Sequence, residues 1–302
     1  MQTVPHTERW GIYTLGIETQ TVDLLYSSAV EIASLRLNHT GDRLVFSQKA
    51  DGESNSNEEI FTLSTEGDDL RRITDNNFWD LYPVWSPDGS RIAFLSQRTA
   101  SLGIYVMNAD GGDARLLYDS SSHEADIDWT GDQIVFTKNS SIWIMQEDRS
   151  DIRQITHPPR AGEWGKANLP YGDYDPRISP DGSRVVFERL VDDQSPHGNY
   201  DLFILDLVSG NELRLTQSGY SQGLAQWSST GDQIVYVVAA IGGAGQYDLY
   251  LMNVDGTGSR NITPPYFPPE FLCHWAVFSN GDQSIYFIGE WWPAQKTNQL
   301  LR

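Results

Sequence analysis

Carboxylates in this chain gather at the turns between apolar runs. Asp80, Glu124, Asp126, Asp173 and Asp175 stand in short segments that also carry Trp79, Tyr82, His123, Trp164 and Tyr174, with His274 farther on. Carboxylate oxygens converging with imidazole, with Asp126, Asp175 and His274 as the candidate set and His123 and His157 as further imidazoles, could hold a hard divalent cation such as calcium or manganese. The competing reading has the same acids capping strands and facing water. Two motif matches point elsewhere. Gly219-Tyr220-Ser221-Gln222-Gly223 fits G-x-S-x-G, but a nucleophile elbow needs a strand, a sharp turn and a helix around it, and this segment joins two β-units. Asp51, Glu53, Asn55, Asn57 and Glu59 place oxygen atoms at alternate positions, yet the glycine and final glutamate of a calcium loop are missing, so the segment reads as a solvated acidic loop. Asn-x-Ser/Thr at Asn38, Asn139 and Asn261 matters only in a glycosylating host.

The elements that must position these groups follow from a repeat. An apolar strand, a tight Asp/Gly turn and a second apolar strand recur as WSPDGSRIAF (85–94), WTGDQIVF (129–136), ISPDGSRVVF (178–187) and WSSTGDQIVY (227–236), with weaker copies at 37–46 and 278–287. Each of the first five continues into a second hairpin of the type IYVMNADGG, closing in most copies on a threonine. Two hairpins make a four-stranded unit, and six units at a period of about 50 residues make six blades. The sixth unit stops after its first hairpin, while IYTLGIETQTVDLLY (12–26) is a second hairpin without a first. The expectation is a single all-β domain over 1–302, a six-bladed β-propeller whose N-terminal hairpin completes the C-terminal blade. The blades span about 31–77, 78–122, 123–172, 173–220, 221–268, and 269–292 together with 10–28.

Strands of a blade alternate in direction, so the SPDG and NADGG turns share one face, and the longer loops and blade connections share the other. Functional loops on a rigid scaffold favour the second face. Counting back from Trp85, Trp129 and Ile178 puts Tyr82, Asp126 and Asp175 at equivalent points around a central channel, with Asp80, Glu124 and Asp173 two residues earlier. Trp79, Asp80, Tyr82, His123, Asp126, Trp164, Tyr174, Asp175 and His274 are therefore the expected ligand-binding residues. Asp88 and Asp181 are expected to serve their turns, and Trp85, Trp129 and Trp227 to pack between blades.

The signature Pro83-Val84-Trp85-Ser86-Pro87-Asp88-Gly89 with Ile92-Ala93-Phe94, followed by Ile104 to Gly111, resembles the TolB-like β-propeller repeat. The resemblance covers nearly the whole chain. It implies a propeller that binds other proteins, in a periplasmic or otherwise extracytoplasmic setting. Similar propellers also cap serine peptidases, act as sensor modules or form oligogalacturonate lyases that hold a metal at the channel mouth, so the fold leaves activity open.

Composition narrows the partners. With 41 acidic against 21 basic residues the formal charge is −20, which argues against nucleic acid. The single cysteine, Cys273, excludes an intramolecular disulfide and a thiolate zinc site. No stretch of about 18 apolar residues offers a membrane span. No nucleophile, base and oxyanion site assembles, so the leading expectation is a monomeric, non-catalytic propeller binding a protein segment, peptide or glycan. The alternative is a metal-dependent polysaccharide lyase or hydrolase, which a −20 chain would serve poorly unless Arg160, Lys166 or Arg189 lay near the channel. The chain demands no cofactor. Calcium or manganese is the one its acids could hold.

Overall fold

The computed structural model describes residues 3–5, 8–50, 57–120, 122, 124–166, 169–192, 198–239 and 247–292. They form a six-bladed β-propeller of four antiparallel strands per blade, with no helix among the described residues. The chain opens with β1 (Trp10–Gly16) and β2 (Val22–Ser28). Blade I is β3 (Ile32–Leu37), β4 (Arg43–Lys49), β5 (Glu58–Ser64) and β6 (Arg71–Arg72). Blade II is β7 (Asp80–Trp85), β8 (Arg91–Ser96), β9 (Gly103–Asn108) and β10 (Arg115–Tyr118). Blade III is β11 (Glu124–Thr130), β12 (Gln133–Lys138), β13 (Ser141–Gln146) and β14 (Arg153–Gln154). Blade IV is β15 (Asp173–Ile178), β16 (Arg184–Asp192), β17 (Asn199–Asp206) and β18 (Glu212–Arg214). Blade V is β19 (Ser221–Trp227), β20 (Gln233–Ala239), β21 (Tyr247–Asn253) and β22 (Arg260–Asn261). The last sheet has the order β2-β1-β24-β23, with β23 (Phe271–Phe278) and β24 (Ser284–Trp291) from the chain's end and β1 paired to β24 from Trp10↔Glu290 to Gly16↔Ser284.

The middle strands read as continuous apolar runs because both of their faces are covered by neighbouring blades. Ile134, Val135 and Phe136 of β12 are all fully buried. Accordingly the core lies between blades. Val45 and Ile60 of blade I pack with Trp85, Ile92 and Phe94 of blade II, and Ile142 and Ile144 of blade III pack with Ile178, Val185 and Phe187 of blade IV. Trp227 reaches across from blade V and donates its indole N–H to the Arg177 carbonyl at 3.0 Å.

The repeated polar residues hold this frame. In the SPDG turn the Gly89 amide donates to Ser86 O at 2.8 Å with φ at +70°, and Asp88 Oδ1 accepts from the Ser90 amide at 3.0 Å. Hydroxyls of Ser86 and Ser90 and the Ser90 amide pull the Asp88 carboxyl down to about 2, and Asp181 repeats the arrangement. The repeat-closing threonines accept from third-strand amides: Thr74 from Ile60, Thr156 from Ile142, Thr216 from Leu202 and Thr263 from Leu249. Innermost strands β3, β7, β11, β15, β19 and β23 touch in succession, and β23 returns to β3, which encloses a channel.

Candidate functional site

Each innermost strand carries one β-bulge, and each bulge holds a non-glycine residue at positive φ. These are Ser34 (59°), Tyr82 (50°), Asp126 (49°), Asp175 (51°), Leu224 (53°) and Trp275 (48°). A left-handed backbone costs an L-residue about 1–3 kcal/mol, so six equivalent instances mark a built feature. The bulge turns the side chain inward. Tyr82 belongs to blade II and Trp275, on β23, to the last sheet, which are not neighbours, yet their rings meet edge to face at 5.7 Å. They fill the axis at this level.

Two residues farther along each strand comes a second inward layer: Arg36, Val84, Asp128, Arg177, Gln226 and Val277. Arg36 and Arg177 are 7% and 1% exposed, and Asp128 and Asp175 are 7% and 6% exposed. Arg177 is ion-paired to Asp175 through Nη2, and its Nη1 donates to Pro176 O at 2.6 Å. Asp128 Oδ2 accepts from the Ile178 amide at 2.8 Å, and Asp126 Oδ2 from the Asp175 amide at 3.3 Å. Arg36 lies over the Trp275 ring at 5.6 Å and donates Nη1 to its neighbour's carbonyl, Leu35 O, at 2.8 Å, while its Nε and that of Arg177 find no acceptor among the described residues. Glu188, from the second strand of blade IV, reaches into the same space and accepts from the Leu224 amide at 2.5 Å.

The electrostatics follow from burying four acids beside two guanidinium groups. Burial, then the Asp175 charge, pushes the Asp126 carboxyl up to about 6, with Arg177 opposing. Burial and the Asp175 charge drive Glu188 far above the usual carboxylate range. Burial raises Asp128 as well, against Arg177 and Arg36. Burial and repulsion from Arg177 lower Arg36 to about 9, still a cation at neutral pH. Burial is also the main reason that the Tyr82 hydroxyl is raised, with Asp126 and Asp175 adding to it.

Above the second layer the channel widens into a cavity of about 560 Å³. Its lining includes Arg36, Asp128 and Gln226, three tryptophans (Trp85, Trp129 and Trp227), and turn residues such as His39, Pro87, Gly131, Pro180 and Asn280. This cavity opens between the short turns. The repeat pattern predicts a ligand at the opposite, loop-rich mouth, and Tyr82 with Trp275 explains the difference by filling the axis one layer nearer to that mouth. What the loop-rich face does present is aromatic surface. Trp79, Trp164, Tyr220 and Trp292 are 46%, 69%, 55% and 42% exposed, each on a different connection or strand end.

The expected site residues thus divide. Tyr82, Asp126 and Asp175 converge in the channel, and Trp79 and Trp164 stand on the loop-rich face. Asp80 is fully buried within blade II, where it accepts from Ser96 Oγ at 2.6 Å and pairs with Arg98 at 2.8 Å. Asp173 is bound likewise to Arg189 at 2.6 Å, so the outer acids do not form a ring at the channel mouth but serve their own blades. Tyr174 is pinned in its own loop, its hydroxyl donating to Pro170 O at 2.7 Å. His274 sits 3.5 Å from Glu290, between the rings of Trp10 and Tyr247, apart from the two channel aspartates. Among the described residues no three His, Cys, Asp or Glu side chains converge so as to hold a metal ion. His123 and residues 51–56 of the acidic loop lie outside the described residues.

The G-x-S-x-G match is architectural. Ser221 opens β19, and its Oγ accepts from the Tyr200 amide at 3.2 Å. Gly223 makes room for Glu188, whose carboxylate would lie 2.5 Å from any Cβ placed there. Sequence reasoning missed Arg36, Asp128, Arg177 and Glu188. The first three had a readable signal: each immediately precedes the residue equivalent to the core tryptophan, and strand alternation points that position into the channel.

Comparison with known proteins agrees with this fold. A family model described as the TolB beta propeller domain matches residues 6–163. An uncharacterised Agrobacterium fabrum protein, Atu1656, is 28% identical over 192 residues, covering 59% of this chain and 61% of its own length. A TolB homologue of Chlorobium luteolum is 28% identical over 179 residues, 57% of this chain and 37% of the relative. The chain therefore spans about two fifths to three fifths of these curated relatives. A solved TolB-type structure from Agrobacterium tumefaciens superposes with a TM-score of 0.70 at 17% identity, over 95% of this chain and all of that one, which is a likeness of fold.

Proposed function

The chain belongs to the TolB β-propeller domain family, and from that premise we propose that it is a non-catalytic binding propeller that grips a segment of another protein on its loop-rich face. The observation that carries the reading is the exposure of Trp79, Trp164, Tyr220 and Trp292 on that one face. Large aromatic side chains left in water on a rigid scaffold supply contact area at low entropic cost, and a face that concentrates them is a binding surface. A charge of −20 selects partners with basic segments and disfavours polyanionic sugars. The channel acids and arginines below pack against one another beneath that face. The family resemblance favours an encounter outside the cytoplasm.

The test is capture from a whole-cell extract of the source organism by immobilised protein, comparing the native chain with the Trp79→Ala/Trp164→Ala double variant at matched thermal stability. A protein retained by the first and lost by the second supports the reading. Equal retention on both, or retention of glycans alone on a carbohydrate array, overturns it.

A further inference from the structure

A second site is built into the other end of the channel, in the cavity between the short turns. Its volume of about 560 Å³ is that of a small-ligand pocket. Its walls are apolar, made by Leu37, Trp85, Trp129, Ile178, Trp227 and Phe278. Its floor carries two opposite charges, Arg36 on β3 and Asp128 on β11, with Val84 on the intervening β7.

These two charges line one cavity without pairing. Neither has an ion-pair partner among the described residues, although Arg177, one strand beyond Asp128, is paired to Asp175. Arg36 gives one N–H to Leu35 O, and its Nε has no acceptor among the described residues. Asp128 accepts from the Ile178 amide at 2.8 Å and from the Trp129 amide, bonds that leave carboxylate lone pairs over. Burial, with Arg177 adding, lowers Arg36 to about 9, and burial raises Asp128, so each group gains from an opposite charge placed beside it. The remaining charge narrows the occupant. Asp282 stands at the mouth with His39, its carboxylate held by the Ser229 amide at 2.9 Å and hydroxyl at 2.6 Å. A ligand with a carboxylate alone meets Asp128 and Asp282, and one with an amine alone meets Arg36 with Arg177 beneath. A ligand that carries both groups meets each charge of the floor with its complement, and the apolar walls suit an apolar body.

We propose that this cavity takes a free α-amino acid with an apolar side chain, its carboxylate on Arg36, its ammonium on Asp128 and its side chain against the tryptophan walls. The two charge-assisted contacts set its orientation, and the walls set the preference for an apolar side chain. Occupation does not depend on a partner at the loop-rich face, since Tyr82 and Trp275 fill the axis between the two.

The probes are L-leucine and L-phenylalanine, titrated calorimetrically into the intact chain at neutral pH. Beside them run isoamylamine and isocaproate, which are leucine without its carboxylate and without its amine, and glucose as an uncharged polar ligand. At least one of the two amino acids is expected to bind about 10-fold or more tighter than any of the three controls, a margin of about 1.4 kcal/mol. Asp128→Asn keeps an acceptor for the Ile178 amide and removes the charge, so it should weaken the amino acid about 10-fold and bring isocaproate level with it. Arg36→Met makes the reciprocal change and should bring isoamylamine level. Melts without ligand show whether each variant is folded, and the comparison of analogues on the native chain needs neither. No saturable binding of either amino acid, binding no tighter than the single-charge analogues, a preference for glucose, or indifference of folded variants to both substitutions would overturn the proposal.

Discussion

The Asp175 amide donates to Asp126 Oδ2 at 3.3 Å, joining the bulge of blade IV to that of blade III at two residues that both hold φ near +50°. Two carboxylates are thereby brought together inside the channel, with Arg177 as the near countercharge. Because burial and Asp175 raise the Asp126 carboxyl to about 6 in the folded state, the folded chain binds a proton that the unfolded chain, with an ordinary aspartate at 3.8, releases. The linked stability is fully present below about pH 4 and is lost as the pH rises through about 6.

Asp126→Asn keeps the acceptor oxygen and removes that charge. It should raise stability at pH 7.5 by up to about 3 kcal/mol and leave it unchanged at pH 4, since each tenfold change in proton affinity between the two states is worth about 1.4 kcal/mol. Paired urea titrations of variant and native chain at the two pH values check this. An equal effect at both would mean that Asp126 titrates as an ordinary aspartate.

Arg177 carries the opposite prediction. It is 1% exposed and, against the cost of its own burial, is held charged by Asp175, Asp128 and Asp126. Arg177→Met fills similar volume but strands those acids without their cation, so a loss of about 3–5 kcal/mol is expected at neutral pH. Part of the loss should return at pH 5, where Asp126 takes up a proton. Thermal melts across pH 5–8 read both, and a loss that does not vary with pH would contradict the charge account.

How much of this was legible is uneven. The turns and the blade period depend on local chemistry within a few residues, so Asp88 and Asp181 could be read directly. Counting along the repeat also located Tyr82, Asp126 and Asp175, because register is preserved from blade to blade. Glu188 was not readable, since it enters the channel from a second strand and only the absent side chain of Gly223 admits it. Nor was the open end of the channel. That depends on Tyr82 and Trp275 meeting across blade I, a contact that no spacing encodes.

Backbone strain at the bulges gives a further expectation. Ser34 has φ of 59° and a buried hydroxyl without a partner among the described residues. Ser34→Gly should be tolerated within about 1 kcal/mol, because glycine enters the left-handed region freely, while β-branched Ser34→Val should cost about 2 kcal/mol or more. Denaturant midpoints decide it, and equal stability of the two would show that the bulge relaxes.

Divalent ions offer a test of the channel's charge balance. With Arg177 and Arg36 already countering Asp126, Asp128 and Asp175, millimolar calcium or manganese added to chelator-treated protein should move the melting temperature by less than about 1 °C, since only a ligand of the native state stabilises by mass action. A rise of several degrees that disappears in Asp126→Ala would establish a cation site there and revive the lyase reading.

The seam of the ring tests the architecture itself. Strand β1 supplies the partner of β24 over seven positions and carries Ile12, Tyr13 and Leu15 into the core, while Arg9 pairs with the buried Glu290 at 2.6 Å. Removing residues 3–28 would leave β24 an exposed apolar edge, which invites pairing with another molecule. The melting temperature should fall by roughly 10 °C or more, given about 2–4 °C per kcal/mol for a chain of this size, and the truncated protein should associate with rising concentration. A synthetic peptide spanning 8–30 should restore both by re-forming β1 and β2 on the open blade. If the truncated chain melts like the intact one, the hairpin contributes nothing to closure and the pairing of Trp10 with Glu290 is not what holds the ring shut.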